Sequence, residues 1–335
     1  MKKLTTIILA LILTTVFSCR LVRKSTEATS LSAFEKTQFI ATLEHKISDD
    51  KNAVYCATLL FAWDEIRKQV NSPLTISDEY FDLKMLNQST SFQHVLKPNE
   101  YKVSGEVDGD FIKVSAEFKK SLPFELKLQS FDNELTFEGQ KVSSFGVNGY
   151  DSDEQLKIVN ITYYKNDNNF LLKLLPKDTE HEIILFMTEQ RFNSMADLTK
   201  EIETLTEIGN AEKRNKKTDW KYSFNEEDVV IIPMLNFNIE TNFSTLEGSG
   251  FKTKEQYLQI ERAWQRTAFV LDESGAEIES EAEIEMVTSD MPEAYEKPQP
   301  KRMIVDKPFL ILLKRTDSIN PYFGLWTTNT ELMTK

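Results

Sequence analysis

Early in the chain, apolar positions recur at helical spacing; from Phe111 onward they alternate with polar ones or gather in β-branched runs. Ser32-Ala-Phe-Glu35 has the layout of a capping box, and Phe39, Ile40, Leu43 and Ile47 follow at helical spacing, which predicts a first helix. Ser48-Asp-Asp-Lys-Asn52 breaks it. A second helix carries Leu59, Trp63, Ile66 and Val70 on one face and stops at Asn71-Ser-Pro73. Residues 74–110 show no dominant period. Strands are predicted at 111–118, 124–128, 156–164, 171–176 and 182–187, the last two joined as a hairpin. A helix over 194–208 presents Met195, Leu198, Ile202 and Leu205, and 212–219 reads as a solvated loop. Strands follow at 229–241 and 264–271, and 309–313 with 322–326 forms a closing hairpin. Helices first and many strands afterwards indicate an α+β chain with large, mostly antiparallel sheets.

One segment breaks this rhythm. After Gly275 the even positions are Ala276, Ile278, Ser280, Ala282, Ile284 and Met286, and the odd positions 277 to 285 are all Glu. Strict alternation describes a strand with one face buried and one in water. Glu is a poor strand former, so local propensity does not account for the pattern. The segment leads into a Pro/Lys-rich run, 291–302, and lies in a stretch that otherwise reads as a loop. Such a segment is written as a strand to be added to a sheet.

The N-terminus adds an address. Lys2 and Lys3 precede an apolar run from Leu4 to Phe17 that ends at Ser18-Cys19, the layout of a signal peptide over residues 1–18. A small residue before Cys19 is similar to a bacterial lipobox, which makes Cys19 the expected lipidation site and 19–30 a polar tether. The expected location is therefore the cell envelope or surface, with membrane contact through the anchor only. A single domain is expected over 31–335. The net charge of −13 argues against nucleic acid as a partner. Only Cys56 remains beyond Cys19, so no internal disulfide is expected, and Cys56 reads as a small buried hydrophobe.

Catalytic motifs are missing. His45, His94 and His181 are scattered, with His45 and His181 expected at the surface. No HExxH, paired cysteines, phosphate-cradling glycine loop or GxSxG occurs, so no enzyme, metal or cofactor is expected.

Four collinear segments resemble the serpins, a family of suicide protease inhibitors. They are Ile232-Pro-Met-Leu-Asn-Phe-Asn-Ile-Glu-Thr241, Ala268-Phe-Val-Leu-Asp-Glu-Ser-Gly275, Val305-Asp-Lys-Pro-Phe-Leu-Ile-Leu-Leu313 and Asn320-Pro-Tyr-Phe-Gly-Leu-Trp326. Upstream, Asn52-Ala-Val-Tyr-Cys-Ala57 resembles the family's start of a core helix, and Phe118-Lys-Lys-Ser-Leu-Pro-Phe124 its "Phe-Lys-Gly-x-Trp" strand. The resemblance implies an exposed reactive loop at about 276–303. A serine or cysteine protease would cut this loop, which would then insert as a strand in the central sheet of a monomer. It also implies a hinge at Glu273, Gly275, Ala276, Ile278, Ser280 and Ala282 and a candidate scissile bond at Ser289-Asp290. Lys301 and Arg302 are alternative recognition residues.

Some positions depart from the family pattern. Ile278 stands among positions usually small, and Leu122 replaces a tryptophan. Cys56, Leu59 and Gln265 stand where the family has hydrogen-bonding serines and a histidine, and five aligned Glu side chains repel one another. Two functions follow from the resemblance: a protease inhibitor, or a non-inhibitory binding or scaffold module on the same fold. An ordinary edge strand, with Glu guarding against aggregation, is the reading without the family.

Overall fold

The structure, a computed structural model, describes residues 27–108, 111–277 and 299–335. The fold is α+β. Its helices are α1 (Thr58–Val70), α2 (Phe81–Gln88), α3 (Asp153–Ile158) and α4 (Met195–Glu212), with short 3-10 turns elsewhere. α1 buries Leu59, Leu60, Phe61 and Trp63, while Arg67 and Lys68 reach back to Asp64. It ends at Asn71, whose left-handed backbone (φ 44) lets its N–H cap the Arg67 carbonyl. α4 starts at Ser194, whose hydroxyl accepts from the Asp197 N–H.

Most of the core lies against a seven-stranded sheet. Its order is Val159–Asn166, Asn169–Leu174, His181–Met187, Phe309–Arg315, Phe323–Thr327, Asn52–Cys56 and Thr37–Ile40. The strands His181–Met187 and Phe309–Arg315 are buried almost throughout, because helix and sheet cover both faces. A four-stranded sheet follows the order Arg302–Ile304, Val229–Pro233, Gln140–Asn148 and Gln129–Phe137. A five-stranded sheet follows the order Thr29–Ser30, Leu235–Asn242, Trp264–Asp272, Gly275–Glu277 and Ser121–Pro123. The strands Tyr101–Asp108 and Phe111–Phe118 form a separate two-stranded sheet.

Several expectations are corrected. No helix forms over 33–47: Leu31–Ala33 is a single 3-10 turn, and Thr37–Ile40 is a strand parallel to Asn52–Cys56. Ile40, Leu43 and Ile47 are buried as the spacing requires, but the end of the strand places Ile40 there and the tight turns after it place Leu43 and Ile47. Asn52–Cys56 is likewise a strand, so the core helix starts at Thr58. Residues 124–128 are irregular, and the strand expected at 156–164 starts at Val159, after α3. The single strand expected over 229–241 breaks at Met234 into strands of two different sheets.

Candidate functional site

The strands Trp264–Asp272 and Phe111–Phe118 border a cleft of about 2260 Å³. Its volume is well beyond the roughly 300–1,000 Å³ of an ordinary small-molecule pocket. Trp264–Asp272 pairs fully with Leu235–Asn242 on one side, but its other edge pairs with a described strand only at Val270, Leu271 and Asp272. Phe111–Phe118 pairs only with Tyr101–Asp108 among the described residues. Among the described residues, two sheet edges thus face each other across a gap. Such edges are templates for a further strand.

The gap closes at one end. There Gly275–Glu277 lies between Trp264–Asp272 and Ser121–Pro123 and pairs antiparallel with both. Ala276 is buried between Leu271 and Leu122, each itself buried. Asp272 starts the turn by accepting the Ser274 N–H on Oδ1 (2.8 Å). The turn is then tied to the neighbouring segment, because Phe124 donates to the Ser274 carbonyl and Leu128 to the Glu273 carbonyl, both at 2.9 Å. Glu273 also lies 3.6 Å from the Lys127 ammonium. Gly275 has φ +125, and a Cβ there would meet the Leu122 carbonyl oxygen at 2.5 Å. Glycine is required at this position.

Beneath the gap lie Cys56, Leu59, Trp63 and Phe323, with Gln265, Thr267 and Phe269 from the bordering strand. Burial pushes the Cys56 thiol up, so it is an apolar floor residue and not a nucleophile. Gln265 is 4% exposed and donates from Nε2 to the Thr267 hydroxyl (3.0 Å), while its Oε1 accepts nothing among the described residues.

A polar cluster holds the join between Phe111–Phe118 and Ser121–Pro123. Lys120 reaches Glu100 Oε1 at 2.5 Å, His181 Nε2 reaches the same oxygen at 2.9 Å, and Arg315 Nη1 reaches Oε2 at 3.1 Å. Burial alone would raise the Glu100 carboxyl, but the hydrogen bonds from Lys120, from the Lys97 N–H and from His181 outweigh it and hold it at about 2. Burial, with the Lys120 charge, pushes His181 down, so its ring is neutral near pH 7. His181 is 1% exposed, which corrects the surface position expected for it. His45 is also largely covered and takes the Thr42 N–H on Nδ1 (3.2 Å).

C-terminal to residues 278–298, Lys301 is held in a buried ion pair. Its ammonium lies 2.6 Å from Asp228, both side chains are wholly buried, and it also donates to the Ser223 carbonyl (2.9 Å). The Lys301 N–H donates to Asp228 as well (2.7 Å). Lys301 is therefore not presented to a protease. Arg302 begins the strand that pairs with Val229–Pro233, so both ends of the span 276–303, expected as an exposed loop, are strand: Gly275–Glu277 and Arg302–Ile304.

Among the expected hinge residues, Glu273, Gly275 and Ala276 are brought together in this turn and strand. Ile278, Ser280, Ala282, Ser289, Asp290 and Cys19 lie outside the described residues. Sequence reasoning missed Glu100, Lys120, Arg315 and Asp228. Their partners lie tens to hundreds of positions away, and single charged residues carry no spacing that would pair them.

No protein-family model matches the sequence, and no curated protein matches it. Among solved structures, a serpin from the trematode Schistosoma haematobium is similar at 11% identity and a TM-score of 0.45, covering 84% of this chain and 94% of that one. Serpin48, a highly specific serpin of the insect Tenebrio molitor, is similar at 14% identity and TM-score 0.35 over 76% of this chain and 66% of that one. Uncleaved ovalbumin is similar at 12% identity and TM-score 0.34 over 81% and 64%. The chain thus spans less than two thirds of the length of the latter two. These are loose superpositions at low identity.

Proposed function

We propose that this chain is a serpin-like protease inhibitor of the cell envelope, exported and anchored by a lipid on Cys19. A serine or cysteine protease cuts the loop within 278–298 and becomes acyl-linked to it, and the segment after Gly275 then enters the cleft as a strand. The observation that carries this reading is the cleft itself, with Gly275–Glu277 seated at its closed end.

The register supports the reading. Val270 pairs with Glu277, Leu271 with Ala276 and Asp272 with Gly275, while Ser121, Leu122 and Pro123 pair with the same three residues from the other side. Continued inward, this register sets Ile278 opposite Phe269, Ser280 opposite Thr267 and Phe118, and Ala282 opposite Gln265 and Ala116. Cross-strand partners share a face, and Phe269, Thr267 and Gln265 are buried. The apolar half of the alternation thus faces the floor. Ser280, diagonal to Gln265, brings a hydroxyl that can donate to its unpartnered Oε1. Burying Ile278, Ile284 and Met286 contributes about 5–9 kcal/mol, at roughly 1.5–3 kcal/mol each.

A protease panel tests the inhibitor. A detergent-resistant adduct with a serine or cysteine protease is expected, and cleavage without an adduct contradicts it. The second reading, a non-inhibitory binding or scaffold module, is favoured by one feature. The register puts the bulky Ile278 beside Lys120, whose side chain is tied into the Glu100 cluster, and this slows entry of the strand. That reading predicts no gain in thermal stability when the loop is nicked, and a large rise in melting temperature counts against it.

A further inference from the structure

The cleft of this acidic molecule is lined by five lysines and arginines against four glutamates, a near balance of charge. The chain is acidic overall, at −13, yet Lys113 and Lys119 on one side of the cleft and Arg262 and Arg266 on the other are all exposed and line it. Trp264 and Arg266 alternate with the buried Gln265 and Thr267, so they face away from the floor. Arg266 is oriented by donating from Nε to Asn238 Oδ1 (2.7 Å), and the Arg262 guanidinium lies 5.7 Å from the Trp264 ring centroid. Both arginines are thereby held on the outer side of the sheet.

We infer that these four cations form a docking rail for the glutamate row of this chain's own segment 277–285, fixing the register in which it enters. The inference rests on the strand-insertion reading above. Counting on from the observed pairs sets Glu279 opposite Lys119 and Glu281 opposite Arg266, and brings Glu285 level with Lys113 and with Arg262, two residues before the strand Trp264–Asp272. Glu283 falls opposite Trp264 and Ser115. The cleft lining also holds Glu117, opposite Glu281 and engaged by the Lys102 ammonium at 3.2 Å, and, near Arg262, the exposed Glu261 and the half-buried Glu247, which accepts the Ala263 N–H. The rail therefore sets four cations along the path of the five glutamates, with Glu117 the carboxylate that falls in the same register.

Two consequences follow from this arrangement. The mutual repulsion of five aligned carboxylates is offset at three of them. A one-residue slip would turn the glutamates toward the apolar floor and the isoleucines toward the cations, so charge and hydrophobicity select the same register. Because the rail is exposed, its attraction is screened by salt and acts chiefly on the rate at which the strand docks.

The test uses full-length protein carrying Thr288→Arg, nicked at that residue by trypsin, with the time course of conversion to a heat-stable form followed at about 20 mM and about 500 mM salt. The rail predicts conversion roughly tenfold slower at high salt. Lys119→Glu with Arg266→Glu should slow it at least as much at low salt and invert the salt dependence. Adding Glu279→Lys and Glu281→Lys should restore the rate. Equal rates in all variants and salts, with the heat-stable form still appearing, would overturn the rail and leave strand insertion standing. Failure of every variant to convert, the parent included, would overturn both. The milder pair Lys119→Gln and Arg266→Gln, expected to be intermediate, covers a failure of the reversed pair to fold.

Discussion

Gly275 combines two constraints that no other described glycine meets. Its φ of +125 lies in the region side chains avoid, and the Leu122 carbonyl and Pro123 Cα stand where a Cβ would be. Gly275→Ala should cost roughly 1–3 kcal/mol in a urea melt and release the Gly275–Glu277 pairing, seen as faster amide exchange at Ala276. Lys301 meets a different constraint at the far end of the loop. Its ammonium and the Asp228 carboxylate are both wholly buried, so Lys301→Met leaves a charge without its partner. It should lower stability by about 3–5 kcal/mol. A loss under about 1 kcal/mol would show that the pair is not buried as described. The role expected for Lys301 as a recognition residue could not be corrected from sequence, since Asp228 lies 73 positions away.

At the scale of elements, legibility followed locality. α1 and α4 were readable because cap, face and end signals sit within one stretch of chain: Ser194 opens α4, and Asn71 closes α1. Strands with unbroken apolar runs, such as His181–Met187 and Phe309–Arg315, were equally clear. The misreading of 33–47 came from a non-local cause. Thr37–Ile40 gains its hydrogen bonds from Asn52–Cys56, and that pairing overrides a helical spacing of apolar residues. The turn at Glu273 and Gly275 and the short strand with Ala276 fall where the alternation starts, a local signal, whereas a hinge role for them came only from the family resemblance. The cleft was not legible, because it arises between strands about 150 positions apart whose edges diverge. Its floor yields a prediction of its own: Cys56, 5% exposed with its thiol pushed up by burial, should resist alkylation in native protein and react on unfolding.

For the whole molecule, the Glu100 cluster ties three distant parts of the chain together through Lys120, His181 and Arg315. Its response to acid has a definite sign. Glu100 titrates at about 2 in the fold against an ordinary 4.5, so its stabilisation is complete above the ordinary value and is lost as pH falls toward about 2. His181 is held below its ordinary 6.5, so it too costs stability once pH drops beneath that value. Both act in one direction, and urea midpoints should fall from about pH 6.5 downward, with Glu100→Gln flattening the segment below 4.5. This cluster ties Lys120, at the closed end of the cleft, to His181 and Arg315, which pair at the end of the seven-stranded sheet, so acid should loosen both at this join. The most direct measurement of strand addition is the melting temperature of the protein before and after a single cut within 278–298. The account predicts a rise of roughly 10 °C or more, as the alternating segment buries its apolar face between Phe111–Phe118 and Trp264–Asp272. An unchanged or lowered melting temperature in the nicked protein would contradict it.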